Sequence, residues 1–302
     1  MSAVIFIDGE VGTTGLGIAQ RLRALPGISL LSLDEARRKD AAARADAMGR
    51  ADLTVLCLPD DAARAAMAMA PPGARILDAS SAHRTSPGWV YGFPELAPGQ
   101  AAKIAAASLV SNPGCYPTGA LALLRPLVDA GIIPPGHDVS INAISSYSGG
   151  GKSMIAAHTA EGGPPFELYG LNLVHKHVPE ILQYSGLTRR PVFVPSVGHF
   201  AQGMLVSIPL FLDRLPGTPT GEALAEIYQE YYANAENIIA YPGIFSGKLT
   251  PEALNDTNQL EIFVCANPNY AQAVLVARLD NLGKGASGAA VQNISLMLEG
   301  AL

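Results

Sequence analysis

The chain has 302 residues, 49% of them apolar and 15% charged, with a net charge of −6 and an isoelectric point near 5.5. That length suggests about two domains, and the acidic balance argues against a nucleic-acid binder, which carries a basic face. Cys57, Cys115 and Cys265 are far apart and odd in number, so neither a disulfide framework nor a thiolate metal site is expected.

At the start of the chain Asp8 comes too early for a signal-peptide core, and no apolar run approaches a membrane span, so a cytoplasmic, non-membrane protein is expected. Val4–Ile7 reads as a short buried strand and Leu16–Ala24 as a helix, with Ile18, Leu22 and Leu25 at helical spacing. Ile28–Leu33 is a second strand, followed by the charged, Ala-rich segment Asp34–Arg50. Leu53–Leu58 is a third strand, Asp61–Ala70 a helix and Arg75–Asp78 a fourth strand. Continuous apolar strands alternating with helices predict an α/β fold with a doubly wound parallel, Rossmann-like sheet. Ala120–Val128 reads as a helix, and the pattern then changes. Val139–Ser145, Val192–Val197, Met204–Pro209, Glu261–Ala266 and Ala273–Asp280 read as strands, several without intervening helices. Helices are expected at His175–Tyr184, Gly221–Tyr232 and Gly285–Glu299, giving an α+β second domain with a mixed or antiparallel sheet.

Cys115 stands in SNPGCYPTG, after an Asn-Pro-Gly turn and before the Ala120–Val128 helix. A thiol there faces unpaired backbone N–H groups and the positive end of a helix dipole, which favours the nucleophilic thiolate. A small buried residue beside a tight turn would carry the same spelling. Gly9, Gly12 and Gly15 lie between the first strand and helix, where Thr13 and Thr14 join them in a turn suited to a dinucleotide pyrophosphate. The spacing is GxxGxxG, not GxGxxG. At the end of the second strand Asp34 suits a free ribose 2′-hydroxyl, whereas Ser32 with Arg37 or Arg38 suits a 2′-phosphate; the cluster of cations favours NADP.

Ser148-Gly149-Gly150-Gly151-Lys152 has the look of a phosphate loop, but Ser146 stands where that motif needs glycine, and its strand opens no clear helix. It is expected to be an active-site loop that holds a phosphate or carboxylate. For general acid/base work His175-Lys176-His177-Val178-Pro179-Glu180 is the best cluster, since His177 and Glu180 share one face of a helix. His199 competes with it. Arg84 lies just beyond the fourth strand, where open sheets bind ligands and an Arg can clamp an anion; a surface ion pair is the alternative.

Taken together these residues resemble the N-acetyl-γ-glutamyl-phosphate reductase family in its shorter form, within the aspartate-semialdehyde dehydrogenase group. The matching segments are GEVGTTG at 9–15, Asp78–Arg84 with YGFPE at 91–95, SNPGCYPT at 111–118, SSYSGGGK at 145–152, His175–Glu180, VGHFAQG at 197–203 and DNLGKGASG at 280–288. The resemblance implies NADP-dependent reductive dephosphorylation of a small acyl phosphate, with Cys115 as nucleophile, His177 as acid/base and Glu180 behind it. It implies a substrate contact from Arg84; Ser148, Gly149, His175 and His199 are further candidates for substrate contact, and the comparison does not place His199. The cofactor would be held by Gly9, Gly12, Thr13, Thr14, Gly15, Ser32, Arg37, Arg38, Pro59, Ser80, Asn281 and Lys284. It also implies that residues 1–114 and 285–302 form the cofactor domain. Residues 115–284 would then form a catalytic domain whose sheet mediates a homodimer or homotetramer. The longer family form has Phe where this chain has His83.

The mechanism implied is attack of the Cys115 thiolate on the γ-carbonyl, loss of phosphate, reduction of the thioester and release of the semialdehyde. An aspartate-semialdehyde dehydrogenase, with the same thiol chemistry on a shorter substrate, is the enzymatic alternative. A relative that reduces a carrier-protein-bound substrate would need a basic docking groove. A non-catalytic NADP sensor is the alternative from another class, and would lack a reactive thiol.

Overall fold

The structure is a computed structural model and describes residues 2–299. The chain divides into two compact units, Met1–Pro113 with Ala286–Leu302, and Gly114–Gly285. The first unit runs β1 (Ala3–Asp8), α1 (Thr13–Arg23), β2 (Ile28–Leu31), α2 (Ala41–Arg50), β3 (Leu53–Leu56), α3 (Asp60–Met69), β4 (Ile76–Asp78), β5 (Val90–Tyr91), α4 (Gln100–Ala106) and β6 (Leu109–Ser111). Its sheet has the order β2-β1-β3-β4-β6-β5, and every pairing is parallel. The doubly wound parallel sheet is therefore as the strand pattern predicts. Alternation along β1 shows how both faces are covered. Ile5 and Ile7 pack with Ile18 and Leu22 of α1, whereas Phe6 packs with Met48 of α2 and Ala63 of α3. The pattern reading places nothing over 90–111. Strands of two and three residues and a helix of seven lie there, too short for periodicity to register.

The second unit runs α5 (Cys115–Asp129), β7 (Ser140–Ser146), a 3-10 turn (Tyr147–Gly150), α6 (Gly151–Thr159), β8 (Phe166–Leu168), α7 (Val178–Ser185), β9 (Val192–Gly198), β10 (Met204–Phe211), α8 (Gly221–Tyr231), β11 (Ile238–Ile244), β12 (Leu260–Asn267) and β13 (Gln272–Leu279). The sheet order is β11-β12-β13-β10-β7-β9-β8, with β11–β12 and β7–β9 parallel and the rest antiparallel. This is the mixed sheet expected. Helix α6 corrects the reading that β7 opens no helix. Gly149, Gly150 and Gly151 at its start hide the helical signal, and Gly151 itself has φ +74.

Helix α5 is buried almost throughout, because one side lies on the sheet and α7 and α8 flank it. Gly119 makes the close approach possible, since a Cβ there would lie 2.7 Å from Val206 Cγ2. Pro126 removes the N–H that would bond the Ala122 carbonyl. The Tyr232 hydroxyl supplies the missing donor, at 3.0 Å from that oxygen, and Tyr228 donates to the next carbonyl, Leu123, at 2.5 Å. The last helix, α9 (Gly288–Glu299), belongs to the first unit, where Ala290, Ile294 and Met297 join the α1 side of its core. Among the described residues no helix is long and apolar enough to cross a membrane.

Candidate active site

Cys115 is the first residue of α5, and Gly114 is its N-cap in extended conformation, φ −74 and ψ 154. The first intrahelical bond runs from Thr118 N–H to the Gly114 carbonyl at 3.0 Å. The N–H groups of Cys115 and Tyr116 therefore precede the helix ladder, and Pro117 has none to offer. Glu180, 1% exposed, reaches this turn from α7 and accepts the Gly114 N–H at 3.2 Å. Gly285 packs close to the thiol residue, since a Cβ there would lie 2.8 Å from Cys115 Cβ. Cys57 and Cys265 have a different character. Burial, aided by Asp78 and Asp8, pushes the Cys57 thiol up to about 12, and burial raises Cys265 as well.

The histidines of the 175–180 segment gather around Tyr116. His177 is buried and caps α7, with its ring centroid 5.8 Å from that of Tyr116 and 4.8 Å from that of His175. The His177 backbone N–H donates to His175 Nδ1 at 3.1 Å. A lone pair on Nδ1 makes His175 the neutral Nε2–H tautomer. Burial and the neighbouring Lys176 charge agree, lowering its pKa to about 4. Tyr116 was not singled out in the sequence, although it follows Cys115 directly. Its hydroxyl donates to the Ser196 carbonyl at 3.0 Å and receives the Tyr169 hydroxyl at 3.2 Å. Burial pushes the Tyr169 phenol up to about 12, and the Cys115 charge adds to it.

Ser148 is buried, 2.9 Å from Ser146 Oγ, and receives Asn281 Nδ2 at 3.0 Å. Asn281 Oδ1 accepts from Ser146 Oγ at 3.1 Å and from Gly203 N–H at 2.8 Å, so Asn281 braces the 146–148 segment. A Cβ on Gly149 would lie 3.3 Å from Ser145 Oγ. Lys284 is buried in the π-helical turn Gly283–Ser287. His199 is exposed and keeps company with His158 and Tyr147, each ring centroid 5.9 Å away, rather than with the His175–His177 pair.

In the first unit the glycine turn is dictated by close approach. Gly9 has φ +91, and a Cβ there would lie 2.3 Å from the Cys57 carbonyl oxygen; a Cβ on Gly15 would lie 2.5 Å from the Gly9 oxygen. Gly12 caps α1, and Thr13 and Thr14 begin it, so their N–H groups open toward an anion. Beside this turn is a cavity of about 460 Å³, lined among others by Gly9, Glu10, Arg38, Lys39 and Arg44. The turn and this wall, which carries Arg38 and Lys39 beside Glu10 and Glu35, fit a dinucleotide phosphate and ribose. Of the 2′-phosphate candidates, Arg38 lines the cavity. Ser32 instead donates to Glu10 Oε2 at 2.8 Å, and the Arg37 backbone N–H bonds Asp34. Lys39, the third cation of the cluster that follows β2, lines the cavity too, whereas the sequence reading does not single out Arg44. Arg44 hides in the Ala-rich helix and is fixed by Asp8 through a 2.6 Å ion pair.

Pro59 caps α3 at the end of β3. Ser80 donates its backbone N–H and its hydroxyl to Asp78, at 2.8 and 2.7 Å. His83 Nδ1 lies 2.6 Å from Asp78 Oδ2, and its ring stacks on Trp89. Arg84 is 8% exposed and donates Nε to the Asn112 carbonyl at 2.9 Å and Nη2 to that of Ala79 at 3.4 Å. Among the described residues no group of three or more His, Cys, Asp or Glu is placed to hold a metal ion.

Residues 12–104 match the family described as "Semialdehyde dehydrogenase, NAD binding domain", and residues 115–281 that described as "Semialdehyde dehydrogenase, dimerisation domain". The chain is 52% identical to N-acetyl-gamma-glutamyl-phosphate reductase 2 of Pseudomonas putida over 98% of this chain and 96% of that one. It is 51% identical to the N-acetyl-gamma-glutamyl-phosphate reductase of a Chelativorans species over 99% of both. The chain belongs to the N-acetyl-γ-glutamyl-phosphate reductase family. Members of this family are oxidoreductases of the semialdehyde dehydrogenase group, and the first unit carries the nicotinamide-dinucleotide-binding domain. The fold is shared more widely. Aspartate semialdehyde dehydrogenase II of Vibrio cholerae, solved with ASA, superposes with a TM-score of 0.69 at 15% identity over 99% of both chains. The Candida albicans aspartate semialdehyde dehydrogenase, solved with NADP, gives 0.70 at 12% identity over 100% of this chain and 99% of that one.

Proposed function

We propose that this chain catalyses the NADP-dependent reductive dephosphorylation of N-acetyl-γ-glutamyl phosphate to N-acetyl-glutamate 5-semialdehyde, through a thioester on Cys115. The observation that carries this reading is the Cys115 turn itself: a thiol at a helix N-terminus, its N-cap held by Glu180, with His177 packed on the adjacent Tyr116.

The Cys115 thiolate attacks the γ-carbonyl carbon, the C–S bond forms, and the C–O bond to phosphate breaks with its electron pair leaving on phosphate. Splitting the reaction at a covalent acyl-enzyme replaces one difficult substitution with two easier steps. The N–H groups of Cys115 and Tyr116 donate to the oxyanion of the tetrahedral adducts. His177 gives a proton to that oxygen after reduction and takes it back as the C–S bond breaks, releasing aldehyde and thiolate. A bound dinucleotide would supply the hydride that reduces the thioester; Gly9, Gly12, Thr13, Thr14 and Gly15 would hold its pyrophosphate, and Arg38 and Lys39 its 2′-phosphate.

His175 acts as a neutral support for His177, and Asn281 as a support for Ser148. Ser148 and Gly149 hold one anionic group of the substrate. Arg84 serves the substrate end of the first unit by fixing the Asn112 carbonyl. The enzyme is a cytoplasmic homodimer or homotetramer, assembled through the open face of the second sheet, where Phe166 and Leu168 are half exposed. The deciding experiment assays the oxidation of N-acetyl-glutamate semialdehyde and of aspartate semialdehyde with NADP, with and without phosphate. Phosphate-dependent turnover of the acetylated substrate is expected; turnover of aspartate semialdehyde alone would overturn the substrate.

A further inference from the structure

We propose that Glu10 sets this chain's preference between dinucleotides with and without a 2′-phosphate. The inference rests on the dinucleotide reading above and concerns a residue outside the glycines and cations that reading uses. In a doubly wound fold the end of β2 meets the adenosine ribose, and the residue there is commonly an acid for a free 2′-hydroxyl. Here the local acid, Asp34, is spent on its own turn, accepting the Arg37 N–H at 3.0 Å. The carboxylate that reaches the end of β2 comes instead from the glycine turn. Glu10 Oε2 accepts the Ser32 hydroxyl at 2.8 Å, and Oε1 accepts Arg23 Nη2, also at 2.8 Å. Both oxygens are held, so the carboxylate is fixed at the wall of the cavity it shares with Arg38 and Lys39.

A ledger of charge around that cavity decides what Glu10 does. Asp8 and Arg44 neutralise each other in a part-buried 2.6 Å pair. Arg23 offsets Glu10 only weakly, because the Arg23 side chain is 60% exposed and water screens the pair. Arg38 and Lys39 remain as attractors of a 2′-phosphate, with Glu35 and Glu10 opposed to them. A free 2′-hydroxyl donates a charge-assisted hydrogen bond to Glu10, whereas a 2′-phosphate dianion is repelled by it. The preference is therefore a difference between two opposed interactions, and Glu10 supplies the one that favours NADH.

Titrating the wild-type chain and Glu10→Gln with NADPH and with NADH, by the change in nicotinamide fluorescence, tests this without reference to turnover. Gln keeps an oxygen for Ser32, so the turn is retained, and a thermal melt verifies the fold. The ratio of the two dissociation constants is expected to move about tenfold toward NADPH. Glu10→Ala should move it the same way, and the Arg38→Gln/Lys39→Gln pair the opposite way. An unchanged or reversed ratio in both Glu10 variants overturns the proposal while leaving the cofactor reading intact. If wild-type chain binds neither dinucleotide, the cofactor reading falls and this proposal falls with it.

Discussion

Glu180 accepts the backbone N–H of Gly114, the residue immediately before Cys115, at 3.2 Å. The acid three residues beyond His177 thus holds the turn that presents the thiol. This hydrogen bond needs an acceptor and not a charge. Glu180→Gln should retain the turn and most of the turnover, whereas Glu180→Ala leaves a buried N–H without its partner and should lose about 1–3 kcal/mol of stability together with activity. Steady-state rates and urea melts of both variants check this. A Gln variant as inactive as the Ala variant would mean that the charge itself is required.

Replacement of Cys115 by Ser should abolish phosphate-dependent oxidation of the semialdehyde while leaving dinucleotide binding in place. Thiolate is scarce at Cys57, whose pKa burial drives to about 12, and burial raises Cys265 as well. Alkylation at neutral pH, followed by peptide mass spectrometry, should therefore label Cys115 first and abolish activity in step with its labelling.

Gly285 is the other guard of the thiol. A Cβ at this position would lie 2.8 Å from Cys115 Cβ and 3.1 Å from the Asp280 carbonyl oxygen. Gly285→Ala must push Cys115 aside, and a displacement of ~1 Å at a reacting atom can cost about a hundredfold in rate. The expected result is a fall in kcat of that order in a folded protein; an unimpaired kcat would show that the nucleophile tolerates the shift.

His175 is held neutral because burial and the adjacent Lys176 disfavour its charged form, bringing its pKa from 6.5 to about 4. The unfolded chain therefore binds a proton between those values that the folded chain does not. By linkage, stability is full above pH 6.5, declines as pH falls from 6.5 toward 4, and loses nothing more from this group below that. His175→Asn keeps an acceptor for the His177 N–H and should remove that part of the acid sensitivity in melts across this window. His177 replacement should instead lower turnover by roughly 10²–10⁴-fold. If His199 replacement does so and His177 replacement does not, the acid/base lies at His199.

The buried helix that Cys115 begins depends on Tyr232, the residue that caps the end of α8. Tyr232→Phe deprives the Ala122 carbonyl of the donor that replaces the one Pro126 lacks. A loss of about 1–3 kcal/mol is expected in denaturant unfolding. Pairing the change with Pro126→Ala, which restores the N–H, should recover part of it, and an additive pair would refute the link.

Much of the chemistry was legible because it is written in contiguous residues. The SNPGCYPT spelling puts a thiol on a helix start, and both glycine turns lie beside their strands, since local backbone geometry is encoded locally. Other parts escaped the pattern. β5 and β6 are two and three residues long, and α6 begins on glycines, so neither period could register. At the end of β2 the sequence offered Ser32, Arg37 and Arg38 side by side. The fold sends Ser32 to Glu10 and adds Arg44, from α2, to Arg38 and Lys39.

The amino-acid sequence by itself determined the two architectures and the family, because periodicity and short motifs depend on neighbours along the chain. Only the tertiary structure decided that Glu180 holds Gly114, that His175 accepts the His177 N–H, and that Glu10 supplies the acid at the end of β2. Each of these is a hydrogen bond between residues whose side chains point where packing sends them. The first joins residues 66 apart in the chain and the last residues 22 apart, separations over which spacing carries no direction.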